Sequence, residues 1–440
     1  MGHDPSVYPF VPHGGSPLTV ARTEGVWLVT ADGRRILDAA GGAIVASIGH
    51  GRAEVADVAA RALAETTFVV PPFATESRVA LVERLRARWL PPGITRAIFA
   101  SGGSESVDLA LRIARQHHVC AGRRERWKVI GRDLSYHGTT LATLAVGGHA
   151  ARRAGFEPLL APHPKAPAAH PLRCATCRSE GGCTLACVDA VEEIIVREGP
   201  ETVAAVIAEP ISGSTLGAVV PHDGYWPRLR DITRRHGVLL IADEVMTGFG
   251  RTGREFAVDH FGVVPDLLVG GKGLASGYAP IGGVYASKEV VAPIADRGED
   301  VMFYTYAAHP AACAVAGKVL ESMEREDLVA RAAEQGAYLA ERLGGLRDHP
   351  NVAEVRGRGL LQAVEIVRDR ETLAPFAPEQ RITTRVVVAG LARGVFFYPG
   401  GSKPGPDVLC LGPPFIVTKD EIDRIVDVLG ESITAAVAAT

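Results

Sequence analysis

Residues 238–273 read VLLIADEVMTGFGRTGREFAVDHFGVVPDLLVGGKG, and two short apolar runs within them decide the fold class. Residues 238–242 and 267–269 are continuously apolar, the pattern of strands covered on both faces rather than of strands with one wet face. Each run stops abruptly: the first at Asp243-Glu244, the second at Gly270-Gly271-Lys272-Gly273. Working outward, the same alternation recurs. Residues 77–89 are amphipathic, 96–100 form a short apolar strand, and 104–117 are helical. Strands follow at 127–131 and 203–208, and a helix at 224–236 precedes the first quoted run. Apolar strands separated by helices predict an α/β fold with a mostly parallel sheet. Ligands of such sheets bind beyond the carboxyl ends of the strands.

The flanks have a different character. Residues 26–30 and 36–39 predict a hairpin closed by Ala31-Asp32-Gly33-Arg34, where Asp-Gly supplies the turn. Beyond about residue 315 come long helices at 311–324 and 328–346, then strands at 352–356, 360–366 and 395–398. Thr418 and Glu421 are spaced as a capping box for a final helix. The expected organisation is an arm and strand unit over 1–70 that packs with the small domain, a large domain over 71–315, and a smaller α+β domain over 316–440.

The 440 residues exceed what one small core organises. Net charge is −3, from 47 basic and 50 acidic residues, which gives no reason to expect a nucleic-acid or anionic-membrane partner. No run of about 18 apolar residues suggests a membrane span. The N-terminal residues lack a signal-peptide pattern, and seven cysteines then fit a reducing compartment, so a cytoplasmic location is expected.

Four strand ends carry residues with chemical potential: Ser101-Gly102-Gly103-Ser104-Glu105, Glu209-Pro210, Asp243-Glu244 and the glycine-flanked Lys272. Singly, each is commonly a cap or a turn. Together they meet one need. A lysine desolvated at a sheet edge becomes nucleophilic, and a neighbouring carboxylate can keep a pyridine nitrogen protonated. Gly103 and Ser104, opening a helix, offer amides and a hydroxyl to a phosphate. Neither G-x-G-x-x-G nor G-x-x-x-x-G-K-[ST] occurs there, so a nucleotide loop is a poor reading.

IADEVMTGFGRTG and GGKGLASGYAPIGG resemble the signatures of the class III (ω-type) aminotransferases, fold-type I pyridoxal-phosphate enzymes. FASGGSESVDLALRIAR, SYHGTT, YTYAAHP and VRGRGLLQAVEI match in order, from about Gly25 to the C-terminus. The resemblance implies a seven-stranded, mostly parallel sheet in the large domain and pyridoxal 5'-phosphate as cofactor. It implies Lys272 as the lysine that bonds the cofactor and shuttles the proton. Asp243 is implied as partner of the pyridine nitrogen, and Val245 as the aliphatic contact beneath the ring. Tyr136 is implied as the aromatic on the other face, followed by His137. Gly103 and Ser104 would cradle the phosphate, and Glu209 would lie near the ring hydroxyl. Thr305 would reach the phosphate of a neighbouring subunit in a homodimer. The implied reaction passes an amino group from an amine donor to a keto acceptor. An aminomutase, racemase or lyase on the same scaffold is the rival, and a non-catalytic binding protein a more distant one.

Two departures bear on substrate. Cys410, in DVLCLGPPF, stands where relatives acting on ornithine-like or γ-amino acid substrates have a carboxylate-clamping arginine, and Gly41-Gly42-Ala43-Ile44 stands where many amine-using relatives have an aromatic that narrows the pocket. Lys403 or an arginine elsewhere could still take a carboxylate. Separately, Cys174, Cys177, Cys183 and Cys187 have spacing that could hold a structural zinc, against the alternative of a loop of reduced thiols.

Overall fold

The computed structural model describes residues 18–179, 181–402 and 405–439. The first 17 residues of the expected arm, and Lys403, lie outside the described residues. Seven strands form the central sheet in the order Ile94–Ala100, Gly282–Ser287, Leu267–Gly270, Leu239–Asp243, Val203–Ala208, Lys128–Arg132 and Lys165–Ala166. The last five pair in parallel, while Gly282–Ser287 runs antiparallel to both of its neighbours. Every residue of Val203–Ala208 and of Leu239–Asp243 is buried, as the continuous apolar runs require. The helix Gly103–Cys120 packs across these strands on a face built from Val107, Ala110, Ile113 and Ala114.

Two four-stranded sheets accompany it. Val20–Glu24, Trp27–Thr30 and Arg35–Asp38 form an antiparallel meander, with Trp27 opposite Leu37. Val352–Arg358, Leu361–Ile366, Asp407–Leu411 and Tyr398–Gly400 form the other, antiparallel throughout. The single strand expected at 395–398 is divided between them. Val395–Phe396 adds to the N-terminal meander parallel to Arg35–Asp38, and the chain then crosses through fully buried Phe397 to Tyr398–Gly400. The N-terminal hairpin is thereby tied to the C-terminal part of the chain. Trp27 Nε1 adds a bond to Glu421 Oε1 at 3.1 Å, and Glu421 is also the reciprocal partner of Thr418 in the capping box of the last helix.

Two buried arginines fasten the small sheet to the large one. Arg356 Nη1 donates to Glu365 at 2.7 Å, and its Nε to the carbonyl of Gly217 at 2.7 Å. Arg173 Nε meets the other Glu365 oxygen at 2.8 Å. Arg251, 1% exposed, donates to the carbonyl of Pro413 at 2.7 Å and lies 4.6 Å over the Phe415 ring. Among the described residues no helix is long and apolar enough to cross a membrane.

Candidate active site

Four of the central strands end at one cavity. Gly103, Ser104, Tyr136, His137, Glu209, Asp243, Val245 and Lys272 all line it, so eight of the sequence-predicted positions converge. Lys272 follows the strand Leu267–Gly270 through Gly271 and opens a short 3₁₀ turn at φ +39°, which lifts its side chain off the sheet edge. Desolvation lowers its ammonium to about 8, against the opposing pull of Asp243 and Glu209. The turn is anchored from a distance: Ser276 Oγ accepts from the amides of Ser47 and Ile48 at 2.7 and 3.0 Å.

Asp243 closes the adjacent parallel strand and is 5% exposed. One of its oxygens accepts from the amide of Val245 at 3.1 Å and the other from His137 Nδ1 at 2.7 Å. The carboxylate is thus oriented by two donors before any ligand arrives. Glu209, past the end of Val203–Ala208, accepts from the amide of Gly213 at 3.0 Å, and burial pushes its carboxyl up despite His137 and Arg132 nearby. Its Oε2 and His137 Nε2 are buried without a hydrogen-bond partner among the described residues. Orphaned polar atoms in a cavity wall are what a polar ligand would satisfy.

At the other end the helix Gly103–Cys120 points its free amides into the cavity. A Cβ on Gly103 would come within 2.8 Å of Val245 Cγ1, and one on Gly138, at φ +134°, within 2.7 Å of Ser104 Oγ. These glycines keep backbone, hydroxyl and Val245 close enough to make a cradle. Ser104 Oγ also accepts from the amide of Thr139 at 3.1 Å, joining the helix start to the Tyr136-His137-Gly138 loop.

Two expected positions lie elsewhere. Thr305 is exposed and does not line this cavity. The four cysteines border a second, smaller cavity together with His170 and His222. The zinc expectation finds no support there: among the described residues no group of three or more His, Cys, Asp or Glu is arranged to hold a metal ion. The thiols form no disulfide, and Cys174 Sγ accepts from the amide of Cys177 at 3.4 Å. Burial pushes the Cys177 and Cys187 thiols up to about 12 and about 11. Spacing alone was the basis of the expectation; the four thiols line one small cavity, but no metal-holding arrangement is found among the described residues.

Sequence reasoning passed over Ile211, Gly213, Ser214, Met246 and Thr247, which complete the lining. It also passed over the role of Glu244, whose carboxylate accepts from the amide of Val258 at 2.8 Å and from the Thr247 hydroxyl, folding the loop after Asp243. Direct adjacency to Asp243 was the available signal for that residue.

A family model described as aminotransferase class-III matches residues 10–433. An ω-aminotransferase of Caulobacter vibrioides is 36% identical over 422 residues, covering 94% of this chain and 92% of that protein. A putrescine–pyruvate aminotransferase of Pseudomonas aeruginosa is 34% identical, covering 96% of this chain and 91% of its own length. The crystal structure of an (S)-enantioselective ω-transaminase from Thermomicrobium roseum superposes with a TM-score of 0.90 at 37% identity, over 99% of this chain and 97% of that one.

Proposed function

The chain belongs to the class-III aminotransferases, which use pyridoxal phosphate, and on that premise we propose that Lys272 carries the cofactor and that the donor is an amine or ω-amino compound. The observation that carries the reading is that Lys272, Asp243 and the Gly103–Ser104 helix start share one cavity. The site suits the group. The helix start and Ser104 would hold the phosphate, Asp243 the ring nitrogen, and Tyr136 and Val245 the two ring faces. The unpartnered Glu209 oxygen would meet the ring hydroxyl. When bound, the cofactor supplies an aldehyde and an electron-withdrawing ring that delocalises charge from the amine-bearing carbon.

The chain's own groups do the remaining work. Lys272 Nζ takes the proton from the amine-bearing carbon of the donor and redelivers it, a task for which an amine near neutrality is suited. His137 holds the Asp243 carboxylate in place. A keto acid or aldehyde closes the cycle by the reverse sequence. The relatives support this substrate class, one being an ω-aminotransferase and another acting on putrescine and pyruvate.

A homodimer belongs to the same reading. Phe68 and Tyr306, in edge contact at 6.2 Å, are 45% and 65% exposed and Met302 is 70% exposed, an apolar surface around Thr305 that a second copy would cover, bringing Thr305 to its partner's phosphate. Sedimentation of the holoenzyme should give twice the chain mass. The reaction is tested by mixing cofactor-loaded protein with a panel of amines and pyruvate. Bleaching of the visible band with formation of a carbonyl product is expected. Absence of any carbonyl product across the panel, with borohydride leaving Lys272 unlabelled, would sink the proposal.

A further inference from the structure

A keto-acid acceptor brings a carboxylate into a cavity whose wall already holds Glu209 and Asp243. Some cation must offset that charge on the substrate side of Lys272. The buried arginines around the site are committed. Arg132 donates to the carbonyl of Glu209 at 2.7 Å and lies 3.7 Å from its carboxylate. Arg356 is engaged by Glu354, Glu365 and the carbonyls of Leu216 and Gly217. Arg251 spends its nitrogens on backbone carbonyls. Cys410 is a thiol that burial keeps neutral, and neither protonation state of a thiol carries positive charge.

Arg152 is different. Its guanidinium carbon sits 4.5 Å from the centre of the Tyr136 ring, and Tyr136 lines the Lys272 cavity. Half-buried Tyr398, the cross-strand partner of Cys410, also lies within reach of the Arg152 charge. Neighbouring Arg153 spends one nitrogen on the carbonyls of Leu144, Ala145 and Gly147. Arg152 makes no side-chain hydrogen bond or ion pair with any described residue. A guanidinium resting over an aromatic ring can keep its N–H donors free, and that fork matches a carboxylate.

We propose that Arg152, resting on Tyr136 at the rim of the cavity, is the subsite for the carboxylate of the keto-acid acceptor. This rests on the reading that the acceptor is a keto acid. It also assigns selectivity: a neutral aldehyde enters without using Arg152.

The test compares holoenzyme with R152Q and R152K, using one amine donor with pyruvate, 2-oxoglutarate or a neutral aldehyde as acceptor. R152Q should raise KM for the keto acid by about tenfold or more with little change in kcat, as expected of lost ground-state binding. KM for the aldehyde should move by less than about twofold. R152K, which keeps the charge but loses the fork, should fall between. The visible band of the bound cofactor and the melting temperature should stay as in the parent, which a merely structural role would not allow. If the parent uses a keto acid and R152Q leaves its KM in place, or shifts keto acid and aldehyde alike, the subsite is overturned while the aminotransferase reading stands. If the parent turns over neither keto acid, the keto-acid reading falls and takes this subsite with it.

Discussion

His137 Nδ1 donates to Asp243 Oδ2 across 2.7 Å with both side chains withdrawn from solvent, so the carboxylate meets the cavity already oriented. Orientation and charge are separable by mutation. Asp243→Asn removes the negative charge opposite the ring nitrogen and should lower kcat by about a hundredfold or more. His137→Phe leaves the charge but frees its direction, and should cost about tenfold. Steady-state kinetics on variants with parental circular dichroism decides the matter. A His137→Phe enzyme as fast as the parent would show that Asp243 needs no second holder.

Lys272 must be neutral to attack the cofactor aldehyde, and desolvation brings its ammonium down to about 8 from 10.5. The sign follows directly: protonated amine predominates below about 8 and is unreactive, whereas free amine predominates above it. The rate of cofactor capture by the apoenzyme should therefore rise with pH and level off with a midpoint near 8. Stopped-flow absorbance reads this, and a midpoint above about 10, that of an exposed lysine, would contradict the desolvated setting.

What was legible in the sequence follows from how local each signal is. Lys272 and Asp243 stood out because uninterrupted apolar runs fix where two buried strands stop, and although each residue alone has a bland explanation as a cap or turn, together they meet one chemical need. Gly282–Ser287 was not foreseen, since GGVYAS carries two glycines and small residues, yet it sits inside the sheet. The break at Phe397 was equally hidden, because four apolar residues look alike whether they serve one sheet or two. Arg251, Arg356 and Arg152 were silent for another reason: they act on carbonyls, carboxylates or a ring that the fold brings close, often from more than 100 residues away. The cysteine segment shows the opposite case: its spacing was suggestive, yet among the described residues no metal-holding group supports the zinc expectation.

Glu365, fully buried on the strand Leu361–Ile366, gives a pH signature of stability. Burial alone would raise its carboxyl, but His170, Arg356 and Arg173 together bring it down to about 2 from 4.5. A depressed carboxyl stabilises the fold fully above its unfolded value and loses that contribution as pH falls through the folded one. Between pH of about 4.5 and about 2 the parent should shed on the order of 3 kcal/mol from this group. Glu365→Gln should melt lower at pH 7 and lose less on acidification across that window. Parallel melting curves against pH for the two proteins would remove Glu365 as the cause.

Arg251 offers the sharpest separation of stability from chemistry. Its nitrogens reach the carbonyls of Pro413, Leu360 and Ala46, which belong to three segments converging behind Lys272, and desolvation lowers its guanidinium to about 9. Methionine keeps an unbranched apolar stem but drops the guanidinium over Phe415 and leaves three inward carbonyls unmet. Hydrogen bonds from a charged donor are each worth about 1.5–3 kcal/mol, offset here by relief of a desolvated cation, so Arg251→Met should cost about 2 kcal/mol net. Lysine would keep the charge without the fork that spans the three segments, and should recover less than half of that loss. Calorimetry of the apoproteins measures the deficit. Because the segments tied are those that hold the lysine turn, cofactor affinity should weaken along with the melting temperature. A variant with a parental melting temperature and weakened cofactor binding would instead place Arg251 in direct contact with the ligand.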